Sequence, residues 1–166
     1  MNQETQPTSA LAFYEGWETY QNLLIQALAP LTAEQLAWRP APHLRSIQQN
    51  CLHIIGARAR WCSLVLRLDD ESLVTLGEWD SKGMPERSAT ELVSGLQQSW
   101  QVLRDALQSW TPADLFVTIP TTDPDPDLQE SYTRQWVIWH LVEHDLNHGG
   151  EISLILGMNG LEGLGL

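Results

Sequence analysis

Apolar residues recur at steps of three and four over most of the chain, the spacing that places them on one side of an α-helix. Phe13, Trp17, Tyr20, Leu24 and Leu28 predict a first helix over 10–29, with Ser9 placed to cap it and Pro30 closing the run. Thr32 to Gln35 has the capping-box form of one short turn, and Pro40 and Pro42 then force an extended link. A second capping box, Ser46 to Gln49, opens a helix that continues through Leu52, Ile55, Ala59 and Leu66 to the acidic Asp69, Asp70 and Glu71. Gly77, Gly83 and Pro85 predict a loop of about 18 residues, after which Ser88 and Glu91 cap a third helix carrying Leu92, Leu96, Trp100, Leu103 and Leu107. Residues 111–131 alternate briefly from Leu115 to Ile119 and then meet Asp123, Pro124, Asp125, Pro126 and Asp127, a loop with at most one short extended piece. A fourth helix spans about 132–156 and ends at Gly157. Four long helices without a strand set predict an all-α fold, an antiparallel four-helix bundle with long inter-helix loops. We read it as one domain over 1–166.

Charge then narrows the partners. Asp and Glu number 21 against 9 Lys and Arg, a net charge of −12 with histidines neutral. Phosphate backbones and anionic membranes are bound by clustered cations, so the sequence predicts neither nucleic acid nor membrane as a partner. The eight tryptophans are read as core or interface anchors. No apolar run approaches the ~18 residues of a membrane span, and the polar first residues carry no Lys or Arg, which predicts a cytoplasmic protein. Cys51 and Cys62 fall on one helix about 16 Å apart in rise, too far to bridge, in keeping with a reducing compartment.

The chemistry lies in the last helix. His144 and His148 are four residues apart, one turn plus about 40°, so both imidazoles leave the same face and can meet one ion. His53 is the one histidine outside that last helix that falls within a predicted helix, since His43 falls in the proline-rich link, and elimination gives a site of His53, His144 and His148. Neutral imidazoles suit Zn, Ni, Fe or Co, and three protein ligands leave a position open for chemistry. The bland alternative is a set of satisfied, half-buried histidines, the expected state of His140. The metalloprotease pattern H-E-x-x-H is rejected, because Asp145 stands where Glu is needed and little chain remains for a remote ligand.

The stretch from Leu31 to Ile54, with Arg39-Pro40, Ser46-Ile47 and His53, together with His144-Asp-Leu-Asn-His148-Gly-Gly-Glu151, resembles the DinB-like superfamily of metal-binding four-helix proteins. That superfamily includes bacillithiol S-transferases and the metal-binding half of mycothiol-dependent maleylpyruvate isomerase. The resemblance spans nearly the whole chain and implies the same triad of His53, His144 and His148. Gly149 departs from the Arg common after the last histidine, and Glu151 stands where Gln is usual. The implied activity is metal-dependent activation of a low-molecular-weight thiol towards a small-molecule electrophile, or of water in a hydrolase. Glu151, three residues past His148, is the candidate general base or ligand-orienting group, with an exposed acidic residue as its plain reading. Arg58 and Arg60 are read as solvated surface residues, or as receivers of an anionic substrate. The rival is a non-catalytic, metal-stabilised or metal-sensing bundle, which would need a fourth ligand from His140 or Glu151. Surplus tryptophan and the habit of relatives suggest a homodimer.

Overall fold

The Thr32, Ser46 and Ser88 hydroxyls each accept the backbone N–H three residues on, and the side chains of Gln35, Gln49 and Glu91 return to the capping N–H. Three helix starts therefore fall where the capping boxes put them. The structure, a computed structural model, describes residues 7–120 and 131–165. Its helices are α1 (Glu15–Leu28), α2 (Ala33–Leu36), α3 (Ile47–Arg60), α4 (Glu71–Gly77), α5 (Ala89–Ser109) and α6 (Arg134–Met158). The fold is mostly helical. None of the described helices is long and apolar enough to cross a membrane.

Four details differ from the sequence reading. The first helix breaks at Tyr14, leaving a 3-10 turn at Ala10–Phe13, and Ser9 makes no capping bond. A tertiary tether explains the break: the Ala10 N–H donates to the Trp110 carbonyl at 2.7 Å, drawing Ala10 into the core while Phe13 stays exposed. The last turn of the second helix widens into a π turn, Trp61–Val65. The expected loop after it contains α4, because Asp70 begins a helix rather than ending one: its carboxylate accepts the Ser72 N–H, and Leu73 and Leu76 are buried. Finally there are two short strands, β1 (Thr118–Pro120) and β2 (Ser131–Thr133), paired antiparallel with Ile119 opposite Tyr132. The run Asp123 to Asp127 lies outside the described residues.

Helix α3 is central and packs on α6, α5 and α4, while α1 packs on α5. Leu24, Leu28, Ile54, Ile55, Leu92, Leu96, Leu103 and Ile152 are fully buried between these helices. Each contributes roughly 1.5–3 kcal/mol of transfer free energy. This core fixes α3 against α6, the two helices that carry the histidines.

Candidate metal centre

A charged network inside the core sets the register of those two helices. Arg58 of α3 donates through Nε and Nη2 to Asp145 Oδ2 of α6, at 2.9 and 2.6 Å. Asp145 also accepts Trp17 Nε1 from α1 at 2.6 Å, and Arg58 Nη1 reaches Gln21 Oε1 at 2.8 Å. Gln21 in turn donates to the Leu96 carbonyl of α5 at 3.0 Å. Arg58 and Asp145 are both 0% exposed, so the ion pair is desolvated and its geometry is strict. It neither receives a ligand nor meets solvent, which corrects both sequence readings of Arg58. Arg60 is likewise engaged, with Nη1 donating to the Gly77 carbonyl at 2.6 Å and Nη2 to Asp80 Oδ2 at 2.9 Å.

With α3 and α6 held in this register, His53 comes opposite His144 and His148. The ring centroids are 4.7 Å apart for His53 and His144, 4.8 Å for His53 and His148, and 4.5 Å for His144 and His148. One nitrogen from each ring lies within 4.8 Å of the other two, a group that could hold a metal ion. His43 and His140 are not in it. His140 instead stacks on Trp136, 5.3 Å away at an interplanar angle of 10°, and packs against Trp61 at 4.6 Å.

Two of the three imidazoles are oriented by carboxylates. His53 Nδ1 lies 2.8 Å from Asp80 Oδ2 and His148 Nδ1 lies 2.9 Å from Glu151 Oε2. An ionised carboxylate only accepts, so each Nδ1 carries the proton and each Nε2 keeps its lone pair for a cation. The two supports differ in strength. Asp80 is 16% exposed and clamped by Arg60, whereas Glu151 is 47% exposed. Burial pushes the Asp80 carboxyl up, but hydrogen bonds from Arg60 and His53 and the Arg60 charge together hold it below the usual carboxylate range. Glu151 thus meets His148 only through Nδ1 of the ring.

The electrostatics favour neutral rings. Burial, and then the neighbouring His148 and His53, push the His144 pKa down to about 3. Partial burial also lowers His53, against the opposing pull of Asp80. The Nδ1 of His144 is buried with no hydrogen-bond partner among the described residues. Three imidazoles brought together in this way, one with an unsatisfied nitrogen, form a donor set that suits a divalent cation. Asp80 is the site residue that the sequence reading missed, since it lies 27 residues from His53 in a segment read as loop.

The sequence of residues 17–152 matches the DinB superfamily. The chain belongs to that superfamily. Its fold is similar to the crystal structure of a DinB-like protein from Bacillus cereus ATCC 10987, with a TM-score of 0.74 at 21% identity, covering 97% of this chain and 99% of the other. No curated protein matches the sequence. Within this DinB chain, Gly149 is explained by packing: a Cβ there would lie 2.1 Å from Tyr20 Oη, so the α1 tyrosine fills the space a larger residue would need.

Proposed function

We propose that this DinB chain is a metal-dependent enzyme that activates a low-molecular-weight thiol towards a small-molecule electrophile, or water in a hydrolytic reaction. We further propose that it works in the cytoplasm as a single four-helix-bundle domain. His53, His144 and His148 would hold the ion, which is Zn, Ni, Fe or Co. A divalent ion so held lowers the pKa of a thiol or water by several units and supplies a nucleophile at neutral pH. The chain's own residues do the rest. Asp80 and Glu151 keep Nδ1 of His53 and His148 protonated, so the Nε2 lone pairs stay directed at the ion.

The observation that carries the reading is the engagement of His140 with Trp136 and Trp61. With His140 stacked there, the group has three candidate ligands among the described residues, which is the pattern of a reactive rather than a purely structural centre. A thiol nucleophile has to come from a cosubstrate. Cys51 and Cys62 are fully buried, and burial pushes both thiols up to about 12.

The expected homodimer has a face to use, since Leu146, Leu154 and Met158 are exposed along one side of α6. The test of function is a turnover screen of the metal-loaded protein with bacillithiol, mycothiol, glutathione and coenzyme A against a panel of electrophiles and esters. Consumption of one thiol or ester that stops when the ion is removed supports the reading. A bound ion with no turnover of any of them favours the non-catalytic, metal-stabilised alternative.

A further inference from the structure

In a chain with a net charge of −12, each cation has many carboxylates to choose from. Arg58, Arg60, Arg87, Arg104 and Arg134 have taken one, and Arg67 donates to the Pro120 carbonyl. The remaining three of the nine cations, Arg39, Arg45 and Lys82, have no carboxylate or carbonyl partner among the described residues. All three line a single cleft of about 670 Å³, and it includes His53 and Asp80 of the metal centre.

The cleft also contains two carboxylates. Asp80 is occupied by Arg60 and His53, which leaves Glu86 as the one acidic side chain set against three free cations. The amino-terminal turn of α3 opens on the same space through Ser46, Gln48 and Gln49. Its capping box and the Trp38 carbonyl already take the N–H groups of Ser46, Gln49 and Ile47. The helix therefore contributes mainly the positive end of its dipole. Exposed His43 adds a further donor at the rim.

Three unpaired cations come from two separate segments, the link before α3 and the loop after α4. In a protein otherwise rich in acid, they converge on a space of the size that small ligands occupy. We propose that this cleft binds the anionic portion of the small molecule that reacts at the metal centre, a compound bearing two or more carboxylate or phosphate groups. The proposal deepens the metal-centre reading and rests on it for the statement that the ligand's reactive end meets the ion.

The test is a 15N NMR titration of the full-length protein, with and without added zinc, using succinate and inorganic phosphate as separate probes. Sodium chloride at matched ionic strength and neutral succinamide serve as controls. Saturable shifts in the amides of Arg45, Ser46, Lys82 and Gly83 are expected with at least one anion, and the two probes show whether carboxylate or phosphate is preferred. The variant R39Q/R45Q/K82Q should bind that anion at least about tenfold more weakly, from a loss of a few-fold per cation, with its metal stoichiometry unchanged. Arg45→Glu alone serves should the triple variant fold poorly, and the same loss is expected. Shifts no different from those with chloride, or equal binding by wild type and variants, would overturn the proposal while leaving the metal reading intact. If wild-type protein takes up none of zinc, nickel, iron and cobalt, the metal reading fails and the anion titration still decides the cleft.

Discussion

Gly56 leaves open the space that Asp80 occupies: a Cβ at position 56 would lie 2.6 Å from Asp80 Oδ1 and 2.9 Å from Arg60 Nη1. A glycine in the middle of α3 costs helix stability of about 1 kcal/mol relative to alanine. Here it admits the carboxylate that fixes the ring of His53.

Gly56→Ala should therefore separate stability from metal affinity. The displaced atoms are side-chain ends that can rotate away, and alanine favours the helix, so the thermal midpoint should change little. Metal affinity should fall, and Asp80→Asn should show the fuller effect of about 10–100-fold. Competition with a chromogenic chelator measures both. Glu151→Gln should weaken binding less than Asp80→Asn, since Glu151 is 47% exposed and no cation clamps it.

Arg58 and Asp145 make the opposite case, in which stability carries the effect. Removing either partner alone, as in Arg58→Met or Asp145→Leu, strands a buried charge and should cost about 3–5 kcal/mol in urea unfolding. The double replacement should recover part of that loss. Recovery stays incomplete because Trp17 Nε1 and Gln21 Oε1 lose their partners.

The buried thiols give a pH dependence of known sign. Cys51 and Cys62 titrate near 12 in the fold, well above their ordinary value of about 9, because burial disfavours the thiolate. Folded protein should resist iodoacetamide at pH 8 at both positions, and unfolding in guanidinium should expose both. The folded state holds these protons more tightly, so their contribution to stability is complete below about pH 9 and is lost as pH rises towards 12. Thermal midpoints should fall over that window, and more gently in a Cys51→Ala/Cys62→Ala variant.

The helix starts were legible because capping is local: Ser46 with Gln49 and Ser88 with Glu91 satisfy backbone groups within one turn. The pair His144 and His148 was legible for the same reason. The arginine–aspartate network was also written in the sequence, though less openly. Arg58 sits on the stripe of Cys51, Ile55 and Cys62, and Asp145 on that of Leu141, His148 and Ile152, opposite charges each on a face that becomes buried. Two such misplaced charges are a signal for a core ion pair. Asp80 left no such mark. Its partners His53 and Arg60 belong to a helix that only tertiary packing brings near, and the loop around it has no period to read. Helix α4 was hidden by acid residues that look like a stop and serve as a cap and first turn.

The central claim is that His53, His144 and His148 jointly hold one divalent ion. The most direct measurement is metal content by mass spectrometry of protein produced without a histidine tag or nickel column, for wild type and His53→Ala. About one ion per chain is predicted for wild type, and nearly complete loss in His53→Ala with the helical circular dichroism retained. Full metal stoichiometry in His53→Ala would contradict the account.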